Sequence, residues 1–149
     1  MAISTDSAIE FFGTTDSVTS STAAVNDGAF SAQEDTWTND DDAPIASIVF
    51  TGTYSVAPDA YSSVHLFCRL LNIQSTNDAE TPDSNMQHIY LGSFPLNDVT
   101  TAQYAAIDVR LPNTKTSQEY EFYIQNEGGQ TLSAGWNLYV TPKTYGPHA

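Results

Sequence analysis

Positive charge is scarce in this chain: Arg69, Arg110, Lys115 and Lys143 are its only basic residues against 18 Asp and Glu, a formal net charge of -14 over 149 residues. Affinity for DNA or RNA is driven by clustered Lys and Arg that displace counterions from phosphates, so no nucleic-acid partner is expected. The same repulsion argues against an anionic membrane surface. Cysteine is nearly absent too. Cys68 stands alone inside VHLFCRLL, which rules out an intrachain disulfide and points to a small buried hydrophobe. No apolar run approaches the roughly 18 residues of a membrane helix. The opening MAISTDSAIEFFG lacks the basic and apolar regions of a secretory signal, so the expectation is synthesis without export or a sequence incomplete at its start. The length suits one domain that buries a core without staples.

Catalytic motifs are missing as well. His65, His88 and His148 are scattered, and Gly92-Ser93 runs on into Phe-Pro-Leu rather than a nucleophile elbow. No phosphate-binding glycine loop occurs. Glu119 and Glu121 are the obvious carboxylate pair, because residues i and i+2 share one side of a strand. They alternate against Tyr120, Phe122 and Ile124, which places them on the face expected to meet water, where nothing raises a carboxyl pKa. No enzymatic activity is expected.

Asp40, Asp41 and Asp42 form an acidic run just before Pro44. An EF-hand loop starting at Asp40 would need a glycine sixth and a glutamate twelfth, and those positions hold Ile45 and Thr51. Asp40 and Asp42 remain the candidates for calcium in an irregular loop. A solvated turn is the expected reading, with no metal and no cofactor. A second acidic stretch, STNDAETPDSN at 75–85, is expected to be an exposed excursion.

What the chain does have is alternation. From Phe30 onward apolar residues recur at every second position, and Gly, Pro, Asn and Asp mark the breaks, the pattern of strands and turns. In IASIVFTGTYS the inward set is Ala46, Ile48, Phe50 and Tyr54; in AQYAAIDVRL it is Ala105, Ile107, Val109 and Leu111. VHLFCRLLNI is apolar on both faces, as expected of a central strand. HIYLGSFPL breaks at Pro95, and TWT near residue 37 is an edge strand. EYEFYIQ and TLSAGWNLYV, joined by NEGGQ, are expected to form a hairpin whose outward Tyr123 and Tyr139 make an aromatic platform. These strands describe an all-β fold, a single antiparallel β-sandwich, jelly-roll-like, over residues 30–149. Residues 1–29 are mostly Ser, Thr, Ala, Asp and Gly and are expected to be an extended N-terminal arm. Its apolar anchor is Ile9, Phe11 and Phe12, which either folds back on its own domain or inserts into a neighbouring subunit.

The stretches TWTNDDDAPIASIVF, RLLNIQSTNDAETPDSN, YLGSFPLNDVTTAQYAAIDVRLPNTKTSQEYEFYIQN and AGWNLYVTPKTYGPHA resemble small proteins of tailed bacteriophages encoded among virion structural genes. The resemblance covers about three quarters of the chain and carries no catalytic signature. It implies a β-sandwich or jelly-roll virion subunit that decorates or cements a capsid, with the major capsid protein and copies of itself as partners, a trimer included, and the capsid surface as its location. The alternative is a carbohydrate-binding β-sandwich module of tail-fibre or receptor-binding type, using loop 75–85 and outward aromatics.

Overall fold

The computed structural model describes residues 8–19, 23–32, 35–85 and 89–147. Nine strands and no helix occur among them: β1 Ala8–Phe12, β2 Asp16–Ser17, β3 Trp37–Thr38, β4 Ile45–Gly52, β5 Ser63–Leu71, β6 Tyr90–Pro95, β7 Gln103–Arg110, β8 Glu119–Glu127 and β9 Asn137–Pro147. They build two antiparallel sheets. The first runs β1-β9-β4-β7, with β2 also on β9, and the second runs β3-β8-β5-β6. Successive strands change sheet at every step from β3 onward except between β5 and β6. If β1 and β2 are taken as one interrupted strand, this is the order of a jelly roll, two Greek keys folded together. The β-sandwich expected from the alternation is therefore the observed fold.

Alternation works because each strand sends every second side chain into one shared interior. Ile48 and Phe50 from β4 and Leu138 and Val140 from β9 face Leu66 and Cys68 from β5 and Phe122 and Ile124 from β8, and all are fully buried. Phe50 and Phe94 meet across the layers at 5.5 Å. The inward sets expected for 46–50, 105–111 and 120–124 all point to this core.

Three expectations are corrected. First, residues 119–125 and 132–140 do not form a hairpin. β8 pairs with β5 and β3, and β9 pairs with β4, β1 and β2, so NEGGQ carries the chain from one sheet to the other. Turn chemistry is the same for both routes; packing of the two apolar faces decides between them. Second, the leading segment is not a separate arm: it is extended and lies along its own domain, the fold-back course that the sequence left open. β1 pairs with the last strand in the register Ala8↔Pro147 to Phe12↔Lys143. Val18 and Val25 are core residues, and Trp136 Nε1–H donates to the Ala23 carbonyl at 2.9 Å. Two valines in polar text fill one end of the sandwich, so the described part of residues 1–29 belongs to the domain. Gly13 interrupts the first strand, where a Cβ would lie 2.5 Å from Asp41 Oδ2 and 2.6 Å from the Pro142 ring. Third, the outer face of the second sheet is covered. Tyr123 is 1% exposed and Glu121 3%, because Phe30 packs on Phe67 at 5.3 Å and Ala79 is tied down to Leu70.

Burial pushes the Tyr54 and Tyr120 phenols and the Cys68 thiol well above their ordinary range. Tyr123 is pushed up to about 12, first by burial and then by its bond to Glu121. Each folded value lies above the unfolded one. Their stabilising contribution is therefore complete below the unfolded values, about 8.5 for Cys and 10 for Tyr, and is lost as pH rises through the folded ones. A melting temperature that holds through neutral pH and falls from about pH 9 upward is expected, with the buried tyrosinates appearing only as the chain unfolds. Tyrosinate absorbance followed beside circular dichroism checks this. Full tyrosine titration in an intact fold would contradict the burial.

Candidate functional site

The acidic run is a turn between β3 and β4. Asn39, wholly buried, holds it: Nδ2 donates to the Ala43 carbonyl at 2.9 Å, and Oδ1 accepts from the Ala43 N–H at 2.9 Å. Asp42 sits at φ 49°, a left-handed conformation that Asp tolerates better than most residues, and its Oδ1 accepts the Ser117 N–H at 2.7 Å. Of the calcium candidates, Asp40 is exposed to solvent and Asp42 is engaged with the backbone of residue 117. Among the described residues no three His, Cys, Asp or Glu side chains come together as a metal site.

Loop 75–85 is less free than expected in its first half. Asp78 Oδ1 accepts the Asn72 N–H at 2.9 Å, Ala79 N–H donates to the Leu70 carbonyl, and Arg69 Nε–H donates to the Ala79 carbonyl at 2.7 Å. Arg69 also lies 3.3 Å from Glu121 Oε2, to which the Tyr123 hydroxyl donates at 2.9 Å. The face expected to meet water thus holds a buried, paired carboxylate. Glu119 accepts from Asn72 Nδ2 at 2.7 Å, and that bond, with Lys115, holds its carboxyl below the usual range. Neither glutamate is arranged as a catalytic pair, since each is committed to neighbours that fix the loop.

The two tyrosines expected to form a platform lie on opposite sheets. Tyr123 is beneath the cover just described, while Tyr139 is half-buried on the outer face of the first sheet, opposite Val49 and Ser17. Exposed aromatics occur elsewhere. Tyr61 projects entirely into solvent at φ 64°, beside a groove lined by Pro95, Asn97 and Asp98. Tyr90 stands on β6 with its hydroxyl 2.5 Å from Ser93 Oγ, which in turn lies 2.6 Å from His65 Nδ1. His88 and His148 lie outside the described residues.

The arm anchor lies at one edge of the first sheet. β1 is the last strand of its sheet, and Phe11 and Phe12 remain 51% and 65% exposed on it. The side chain of Ile9 lies outside the described residues. Gly13 N–H donates to the Pro142 carbonyl at 2.8 Å. By the alternation of an antiparallel ladder, the backbone groups of Glu10 and Phe12 then point away from β9, toward an edge on which no described strand pairs. Lys143 supports the strand from β9, with Nζ 3.2 Å from Glu10 Oε1, 2.9 Å from Asp108 Oδ1 and 5.4 Å from the Phe12 ring centre. These carboxylates hold the ammonium above its usual pKa, the Asp108 bond foremost. A groove of about 230 Å³, lined by Phe11, Phe12, Gly13, Asp41, Pro142 and Thr144, follows the end of the strand. The arrangement offers two exposed aromatic rings beside a short backbone edge on which no described strand pairs, the elements of a contact surface.

No protein-family model and no curated protein matches the chain. Among solved structures, one described as belonging to work on the promiscuous specificity of carbohydrate-binding modules from the β-sandwich superfamily is similar at a TM-score of 0.36 and 13% identity, over 94% of this chain and 57% of that one. The chain therefore spans little more than half the length of that relative. The fold assignment rests on the strand order above and not on this likeness.

Proposed function

We propose that the chain is a structural, non-enzymatic virion protein of a tailed bacteriophage that decorates the capsid and docks on the major capsid protein through its leading strand. The observation that carries this reading is the β1 edge, where Phe11 and Phe12 stand exposed on a strand whose outer side pairs with no other described strand. The sequence resemblance to phage virion proteins supports it. So does the use of the buried charges among the described residues: Glu121 pairs with Arg69 beside loop 75–85, and Lys143 ties β1 and β7 together through Glu10 and Asp108. Jelly rolls serve as viral capsid subunits and as lectins alike, so fold alone decides nothing here. Adhesion no longer needs a reaching arm: a strand fixed in its own sheet presents the two rings in one pose, which lowers the ordering cost of docking.

Burying what Phe11 and Phe12 leave exposed is worth about 2 to 3 kcal/mol, on the order of a hundredfold in affinity. The double variant Phe11→Ser, Phe12→Ser is expected to keep the melting temperature within a few degrees and to lose co-sedimentation with undecorated capsids by roughly that factor. Equal binding by variant and wild type would remove the β1 edge from the proposal.

A carbohydrate-binding module is the second reading, favoured by the fully exposed Tyr61 beside Asn97 and Asp98, since an aromatic face with flanking polar groups suits a sugar ring. A glycan array separates the two readings. Saturable binding lost in Tyr61→Ala supports the module, and silence alongside capsid binding supports decoration.

A further inference from the structure

The far edge of the same sheet carries a second surface. β7, Gln103–Arg110, is the terminal strand opposite β1, eight residues long. Its register with β4 is unbroken from Ile45↔Arg110 to Gly52↔Gln103. Leu111 N–H donates to the Pro44 carbonyl, so odd-numbered residues of this strand address β4, and Tyr104, Ala106, Asp108 and Arg110 aim their backbone groups at the open side. None of these four makes a backbone bond outside the β4 ladder among the described residues. Proteins blunt such edges with bulges, prolines or like charges. The edge of the other sheet has such devices: β6 is six residues long, ends at Pro95 and has a register shift opposite Leu66 and Phe67. β7 has neither a bulge nor a proline.

Its charges are arranged for attraction. Arg69, Lys115 and Lys143 are each engaged with carboxylates, whereas Arg110 has no acidic partner among the described residues. It stands two residues from Asp108 on the same outer face. Asp108-Val109-Arg110 set antiparallel against itself, with the two-fold axis at Val109, puts Asp108 opposite Arg110 of the second copy and Arg110 opposite Asp108. The same register makes both of these hydrogen-bonded pairs, because residues 108 and 110 are the ones whose backbone faces outward. Lys143 occupies Asp108 Oδ1, leaving the second carboxylate oxygen for an incoming guanidinium. A groove of about 370 Å³ between Ile45, Val109 and Tyr145 can take the stem of that arginine.

We infer that the Asp108–Arg110 end of β7 is a homodimerisation edge, where the same three residues of a second copy of this chain pair antiparallel about Val109 and bring the first sheets of both copies edge to edge. This inference does not rest on the capsid reading, and its test contains no particle. Sedimentation equilibrium of the free protein over a wide concentration range is expected to rise toward twice the 16.2 kDa chain mass. Arg110→Asp sets like charges opposite one another and is expected to weaken association about tenfold or more. The swap D108R/R110D restores opposite charges at both pairs and is expected to regain the dimer. A wild type that stays at the chain mass, a dimer indifferent to Arg110→Asp, or a swap that folds but stays monomeric would overturn the inference.

Discussion

Asn126→Ala is expected to destabilise the fold by about 4 kcal/mol and to lower its melting temperature by roughly 10 °C. The side chain is wholly buried near the end of β8 and bonds to three separate segments. Its Oδ1 accepts from the Tyr54 hydroxyl at 2.9 Å and from the Gly128 N–H at 3.0 Å, and its Nδ2 donates to the carbonyls of Val25 at 2.9 Å and Gln130 at 2.7 Å. One amide thus joins the leading segment, the residues after β4 and the turn that carries the chain between sheets. Alanine leaves the Tyr54 hydroxyl and the Gly128 N–H without an acceptor and takes a donor from the carbonyls of Gln130 and of Val25, the latter still bonded to Leu132 N–H; each buried group left unpaired costs about 1 to 3 kcal/mol unless water reaches it. Tyr54→Phe removes one of these bonds and is expected to cost about 1 kcal/mol. Urea denaturation of both variants checks the ratio. Equal small losses would mean that water replaces the amide.

Arg69→Met is expected to cost about 3 kcal/mol, because it takes a cation from the buried Glu121 carboxylate and releases the Ala79 carbonyl. The second ion pair of Arg69, to Asp78 at 3.5 Å, is more exposed and contributes little. The double variant R69M/E121L removes the stranded charge and is expected to recover only part of the loss, since the Tyr123 hydroxyl then lacks that acceptor and the Ala79 carbonyl stays released. Urea titrations of the single and double variants measure it. A neutral Arg69→Met would show this face to be wetter than its geometry.

The inward side of each long strand was legible because the two-residue period is a local property. Ile48, Phe50, Phe122 and Ile124 announce the core whichever strand lies next to them. Partner choice is not local. Turn residues such as Asn126, Gly128 and Gly129 favour a reversal but do not say whether the chain returns to the same sheet. The cover over Glu121 and Tyr123 was hidden for a similar reason, since Phe30 and Ala79 reach it from distant parts of the chain. Phe11 and Phe12 stood out as apolar residues in polar text. Their place on an edge strand depends on pairing with residues 143–147, more than a hundred positions away. Arg110 and Asp108 were legible as outward, and their meaning as a pair appeared only once β7 was seen to be an edge.

The proposed capsid role is tested most directly by imaging phage particles at a resolution that separates sheets. The expected density places the jelly roll on the outer capsid surface with the Ala8–Phe12 strand and its two phenylalanines against the major capsid protein. A particle whose capsid lacks the protein, or one that holds it with that strand turned to solvent, would contradict the account.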